Sequence, residues 1–245
     1  MHVVYFRFYE ELNDFLPSEK RKARFRHLFI DRTSVKDMVE SLGVPHTEID
    51  LILANGKPVN FSYIVKNGDE ISVYPVFESF DISDVQHLRP EPLREPKFIM
   101  DVHLGRAAKF MRLLGFDTAY ENSFSKAEIV RISIDEKRTV LTKNQDLLKR
   151  NDVTHGYWIR SNTPNEQLKE IVGRFQLKSK IKLFSRCLVC NSLLQRIEKG
   201  DIIDRLPPKV KEWQTEFCFC KNCDKMYWKG KQYDNLKKTV DKIIT

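Results

Sequence analysis

Apolar and polar residues alternate along residues 3–9, and this period of two predicts a β-strand with one buried face. Residues 24–30 are predicted to form its hairpin partner. A helix is predicted to begin at Ser34, because the apolar residues that follow recur at helical spacing. These residues are Val35, Met38, Val39 and Leu42. The turn signal Asn55-Gly56 and a second turn at residues 67–69 then separate further short strands. The predicted order is two strands, one helix, a hairpin and a final strand.

That order is the order of a β-grasp domain, and residues 1–78 resemble the ubiquitin-like sulfur-carrier fold. Such carriers act through a flexible C-terminal Gly-Gly, whereas here the last strand continues into Pro-Val-Phe-Glu-Ser at residues 75–79. We therefore expect a docking domain for a protein partner, with a purely stabilising domain as the alternative. Residues 79–96 contain three prolines among charged residues, which predicts a linker.

From residue 97 the pattern changes, because short apolar runs alternate with stretches of helical period. The predicted strands are residues 98–100, 116–120, 139–141 and 156–160. The predicted helices begin near Leu104 and also cover residues 125–137, 147–150 and 164–175. Alternation of this kind is typical of an α/β/α domain with a mostly parallel sheet, which we place at residues 97–178. The whole chain is thus predicted to be an α/β multidomain protein.

Acidic residues follow the first and third of these strands, where ligands bind in open parallel sheets. Asp101 follows the first strand, Asp146 follows the third, and Glu128 begins the helix between them. Carboxylates are the ligands that Mg²⁺ and Mn²⁺ prefer, and such ions promote phosphodiester hydrolysis. The pattern predicts a catalytic Mg²⁺ or Mn²⁺ site. The alternatives are a helix cap at Asp101, a capping-box acid at Glu128 and a solvated side chain at Asp146.

Three short motifs in this segment resemble the PIN-like ribonucleases of the Mut-seven C-terminal RNase family. They are DVHLGR at residues 101–106, LLGFDT at residues 113–118 and LTK at residues 141–143. The resemblance implies a metal-dependent endoribonuclease that acts on RNA, with Asp101 as a metal ligand. It also implies a ubiquitin-like domain before the nuclease domain and a zinc ribbon after it.

The sequence departs from the family pattern at two positions. Asn144 stands where the family usually has an acid, and it offers only a neutral carbonyl oxygen. Lys126 lies near the position of another family Asp. The alternative function is therefore a catalytically weak or silent adaptor that binds RNA or the ribosome.

Charge is divided unevenly along the chain. Residues 1–96 contain 12 Lys and Arg against 16 Asp and Glu, whereas residues 97–245 contain 30 against 18. The basic part suits a polyanion such as RNA. The cations expected to contact its phosphates are Arg106, Lys109, Arg112 and Lys143, with a solvated surface as the alternative for each. No apolar run approaches the roughly 20 residues that span a bilayer, so we expect a cytoplasmic protein without a membrane partner.

All five cysteines are clustered near the C-terminus. Cys187-x-x-Cys190 and Cys220-x-x-Cys223 are predicted to hold one structural Zn²⁺ in a zinc ribbon at residues 181–235, with a redox dithiol as the alternative, and Cys218 is predicted not to be a ligand. Residues 236–245 are predicted to be a basic tail. Four aromatic residues lie among lysines in the ribbon and suit either base stacking or a small core: Phe217, Phe219, Tyr227 and Trp228.

Overall fold

The computed structural model describes residues 1–75 and 96–244. These residues form two compact units. The first unit contains the described residues of 1–95 together with residues 126–158, and the second contains residues 96–125 and those from 159 onward. In the described part of the chain, no helix is long and apolar enough to cross a membrane.

The first unit begins with a five-stranded sheet and one helix, which confirms the predicted ubiquitin-like domain. Its elements are β1 (His2–Phe8), β2 (Phe25–Phe29), α1 (Val35–Ser41), β3 (Ile49–Ala54), β4 (Lys57–Val59) and β5 (Glu70–Pro75). The strand order is β2-β1-β5-β3-β4, with β1 antiparallel to β2 and parallel to β5. Asn55 and Gly56 both have positive φ, as a tight hairpin turn requires. Phe6, Phe8 and Ile52 lie in the core against α1.

The second unit begins with β6 (Phe98–Met100), α2 (Gly105–Leu113) and β7 (Thr118–Ala119). All three residues of β6 are buried, as expected of a parallel strand, and β6 pairs with β7 in parallel. A short 3-10 turn, Val102–Leu104, joins β6 to α2. The apolar stripe of α2 faces inward as its spacing predicts, since Ala107, Ala108 and Met111 are fully buried.

The first unit continues with α3 (Lys126–Asp135), β8 (Thr139–Thr142), α4 (Gln145–Leu148) and β9 (Gly156–Trp158). Strands β8 and β9 are parallel. Within this unit the ubiquitin-like part contacts the segment around β9. His46 Nε2 lies 2.9 Å from the carbonyl oxygen of Val153, and Trp158 N donates to Glu48 Oε1. The rings of Phe15 and Trp158 lie 5.1 Å apart.

The second unit resumes with α5 (Pro164–Arg174), which is capped by Thr163 and packs against α2. The cysteine-rich part then contains β10 (Gln195–Ile197), α6 (Lys199–Ile202), α7 (Pro208–Trp213), β11 (Phe217–Cys220) and β12 (Lys225–Trp228). The three strands form one antiparallel sheet in the order β10-β11-β12. The last helix, α8 (Lys231–Ile244), spans residue 236, the predicted start of a tail, and its Val240 is fully buried.

Candidate metal centre and acidic site

Four cysteine thiols meet at one point in the second unit. The Sγ atoms of Cys187, Cys190, Cys220 and Cys223 all lie within 4.8 Å of one another. The shortest separations are 3.2 Å between Cys187 and Cys223 and 3.3 Å between Cys190 and Cys220. Zn–S bonds of about 2.3 Å in a tetrahedron place sulfurs about 3.8 Å apart, which falls inside this range. The four cysteines can therefore bind a metal such as zinc, as their spacing predicts, and Cys218 stands outside the group.

Local hydrogen bonds shape the first knuckle. Cys187 N donates to Ser192 O at 2.8 Å, and Asn191 N donates to Cys187 O at 3.0 Å. Asn191 adopts φ +69°, a left-handed conformation that Asn tolerates better than most residues. These backbone contacts shape the loop that carries Cys187 and Cys190.

Tyr227, which the sequence predicts only as a stacking or core aromatic residue, contacts the cysteine cluster. Its hydroxyl lies 3.1 Å from Cys187 Sγ and accepts from Leu188 N at 3.2 Å. Burial acts to raise the pKa of the Cys187 thiol, but hydrogen bonds from Tyr227 and from the knuckle backbone outweigh it and lower the pKa to about 6. Cys187 is thus favoured as a thiolate, the form that binds metal. Burial, together with the Cys187 sulfur, raises the pKa of Tyr227, which keeps its hydroxyl protonated as a donor.

The first knuckle docks on the segment that follows α2. Arg112, at the end of α2, is only 4% exposed. Its guanidinium donates to the carbonyl oxygens of Thr118 at 2.9 Å, Tyr120 at 3.0 Å and Val189 at 2.5 Å. Val189 lies between the two cysteines of the knuckle. Arg112 therefore joins the metal centre to β7, and it does not occupy the exposed, phosphate-facing position that the sequence predicts.

A second set of contacts joins the same knuckle to β7. Asn191 Nδ2 donates to Asp117 Oδ1 at 2.7 Å, and Thr118 N donates to Asn191 Oδ1 at 3.0 Å. Arg186 forms an ion pair with Asp117 at 3.3 Å. Gly115 has φ +92°, and a Cβ there would overlap the carbonyl oxygen of Lys182. The motif at residues 113–118 is therefore the surface on which the first cysteine knuckle packs.

Asp101 lies where the sequence predicts it, directly after β6 and 5% exposed. It is the N-cap residue of the turn Val102–Leu104, and its Oδ1 accepts from His103 N at 2.9 Å. The cap fixes the orientation of the carboxylate. Gly105 is the first residue of α2, and a Cβ at this position would overlap the Tyr120 ring.

The other predicted members of the acidic site belong to the first unit. Glu128 is exposed in the first turn of α3, and Asp146 is exposed in the first turn of α4. Asn144 is the N-cap of α4, and its Oδ1 accepts from Asp146 N at 3.0 Å. Asn144 N in turn donates to Thr142 Oγ1 at 2.8 Å. The convergence of these residues with Asp101 on one metal ion stays a prediction.

The remaining predicted RNA contacts are more accessible than Arg112. Arg106 and Lys109 are exposed on α2, and Lys143 is half-buried after β8. Exposure is a requirement for contact with phosphates, so these three positions are compatible with the predicted role.

Comparison with known families agrees with this architecture. Residues 96–240 match the Mut7-C RNAse domain, and residues 1–81 match the Mut7-C ubiquitin domain. Because the first match covers more than half of the chain, the protein belongs to the Mut7-C RNAse domain family. No curated protein and no solved structure shows a significant match.

Proposed function

We propose that the protein is a metal-dependent endoribonuclease that hydrolyses RNA phosphodiester bonds. The observation that carries the proposal is the buried carboxylate of Asp101 at the carboxyl end of β6, in a chain that belongs to a ribonuclease family. This carboxylate caps the turn Val102–Leu104. The basic residues 97–245, with 30 Lys and Arg against 18 Asp and Glu, favour a polyanionic substrate.

The proposed acidic site consists of Asp101, Glu128, Asn144 and Asp146. Its donor set is three carboxylates and one amide oxygen, which are ligands that suit Mg²⁺ or Mn²⁺. Such an ion, when bound, lowers the pKa of water and neutralises charge on the phosphate. Asp101 would supply the principal negative charge in an orientation set by His103 N–H. Arg106, Lys109 and Lys143 would hold the substrate phosphates.

The zinc ribbon and the ubiquitin-like domain have supporting roles in this proposal. Four thiolates leave no open coordination position, so zinc at the cysteines would be structural. Through Arg112 and Asn191, the ribbon would hold the segment after α2 in place. Residues 1–78 would dock a protein partner, and the nuclease part and ribbon would occupy residues 97–178 and 181–235.

Substitution of Asp101 by Asn tests the proposal. Asn retains the side-chain oxygen that accepts from His103 N and is an equally good N-cap residue, so the variant removes the charge and keeps the local fold. We expect RNA cleavage in Mg²⁺ or Mn²⁺ by the unaltered protein and loss of cleavage in Asp101→Asn. Asp135→Asn, an exposed acid in α3, is the matched control. Undiminished cleavage by Asp101→Asn would exclude this site.

A second candidate function is an RNA- or ribosome-binding adaptor without activity. It is favoured by Asn144, a neutral residue that already caps α4, and by the exposure of Glu128 and Asp146. Salt-dependent RNA binding with no product at any Mg²⁺ or Mn²⁺ concentration would select this candidate.

A further inference from the structure

The ribbon sheet has two faces with different surroundings. Successive residues of a strand point to opposite faces. Ile197, Phe217 and Trp228 form one cross-strand row, and these three side chains pack with Ile202 and Leu206 in the core of the ribbon. The neighbouring row is Arg196, Cys218 and Tyr227, so its side chains belong to the opposite face.

A cavity of about 320 Å³ lies beside this sheet and is lined by residues of both rows. Cys218 and Tyr227 line it from the sheet, while Phe184 lines it from the segment before β10 and Tyr233 lines it from α8. The Phe184 ring lies 4.5 Å from that of Tyr233 and 6.4 Å from that of Tyr227. Ligand pockets begin at about this size, and aromatic walls of this kind favour a flat ring.

Charged side chains surround the cavity. Arg196 and Lys229 line it and are exposed, Glu198 and Glu216 line it as well, and Lys229 forms an ion pair with Glu216 at 3.0 Å. Residues 181–245 carry 14 Lys and Arg against 8 Asp and Glu. Aromatic side chains stack unpaired bases, and an exposed cation beside them, here Arg196, can neutralise the adjacent phosphate.

We propose that this cavity binds one unpaired base of single-stranded RNA, with Phe184 and Tyr233 as stacking partners and Arg196 at a flanking phosphate. The inference rests on the proposed function, because it takes RNA as the substrate. It adds a substrate contact on the ribbon, separate from the acidic residues. A base inside a duplex is stacked and paired, so the cavity selects single strands.

Binding of a fluorescein-labelled 12-nucleotide single-stranded RNA, followed by anisotropy without added Mg²⁺ or Mn²⁺, tests the inference on the full chain. Stacking contributes about 1–3 kcal/mol per base. The expected result for Tyr233→Ala is therefore a Kd raised roughly 5- to 140-fold. Tyr233→Phe should bind like the unaltered protein, because it retains the ring. Trp213→Ala is the matched control, since Trp213 is an exposed aromatic residue outside the cavity lining.

A second variant tests the cavity without removing an aromatic side chain from its lining. Cys218→Phe fills the cavity from the sheet, and Cys218 is outside the group of metal-binding cysteines. Unchanged zinc content in each variant shows that the ribbon is intact. Unchanged single-strand affinity in both Tyr233→Ala and Cys218→Phe would overturn the inference, as would an equal loss of affinity for a duplex of the same sequence.

The two proposals fail in different ways. If the cavity does not bind a base, Tyr233→Ala binds RNA normally while Asp101→Asn still abolishes cleavage. If the protein is not a nuclease, neither the unaltered protein nor any variant cleaves RNA, yet Tyr233→Ala still weakens single-strand binding.

Discussion

Substitution of Arg112 gives a quantitative test of how the cysteine knuckle is held. Arg112→Met keeps the length and apolar stem of the side chain but removes all the donors of the guanidinium. The carbonyl oxygen of Thr118 then loses the hydrogen bond from Arg112. Water cannot replace this bond, because Thr118 is 0% exposed. The carbonyls of Tyr120 and Val189 lose partners in half-buried and exposed residues, where water can replace the bond.

The expected cost follows from these three short bonds, because the fourth, from Arg112 Nη1 to Leu188 O, is 3.4 Å long and weak. An unsatisfied buried carbonyl costs about 2 kcal/mol, and each replaceable bond contributes about 1 kcal/mol. The free energy of unfolding should therefore fall by about 4 kcal/mol. For a chain of this length, that corresponds to a decrease in Tm of roughly 8–16 °C. Calorimetry of the zinc-loaded protein measures this change, and Arg112→Lys should lose most of the same stability because an ammonium lacks the planar fork.

Lys109→Met is the matched control, because Lys109 is an exposed cation on the same helix. Its effect on stability should stay within about 0.5 kcal/mol, as is usual for surface positions. The reasoning is refuted if Arg112→Met leaves Tm unchanged. Reduced RNA affinity at unchanged Tm would instead restore Arg112 to the phosphate-binding role that the sequence predicts.

The remaining predictions concern the metal centre and residues 113–118, on which the first knuckle packs. Cys220→Ser should lose zinc and melt the ribbon, whereas Cys218→Ser should keep about one zinc per chain by metal analysis; equal zinc in both would contradict the ligand set. Tyr227→Phe removes the hydroxyl beside Cys187 Sγ and should weaken zinc about 10- to 100-fold in a chelator competition, and unaltered affinity would refute this role. Gly115→Ala should destabilise the protein because of its φ of +92° and the overlap with Lys182, whereas Gly173→Ala, in open space on α5, should be neutral or stabilising. Equal Tm values for the two glycine variants would show that the knuckle does not pack closely on Gly115.

The fold was predictable where local signals and burial agree. The Asn55-Gly56 turn fixed one hairpin, and the fully apolar residues of β6 marked a buried parallel strand. Cys-x-x-Cys spacing identified the four thiols, because each knuckle presents two sulfurs by local geometry alone. These features depend on residues that are near one another in sequence.

Arg112 was predicted wrongly as exposed for a geometric reason. Arg106, Lys109 and Arg112 are three residues apart, and three residues of an α-helix turn about 300°, so each step drifts about 60°. After two steps Arg112 has rotated about 120° from Arg106, onto the buried side of α2. Its partner Val189 is 77 residues away in sequence, and no local pattern indicates that contact. The role of Tyr227 beside Cys187 was missed for the same reason, since 40 residues separate them.

Cleavage of one RNA by the unaltered protein, Asp101→Asn and Asp135→Asn, in the presence of Mg²⁺ or Mn²⁺, is the most direct test of the proposed function. Equal zinc content and equal Tm ensure that the three proteins are comparable. We predict cleavage by the unaltered protein and by Asp135→Asn, and no cleavage by Asp101→Asn. The same rate from all three proteins would contradict the proposal that the buried carboxylate of Asp101 is the centre of the nuclease site.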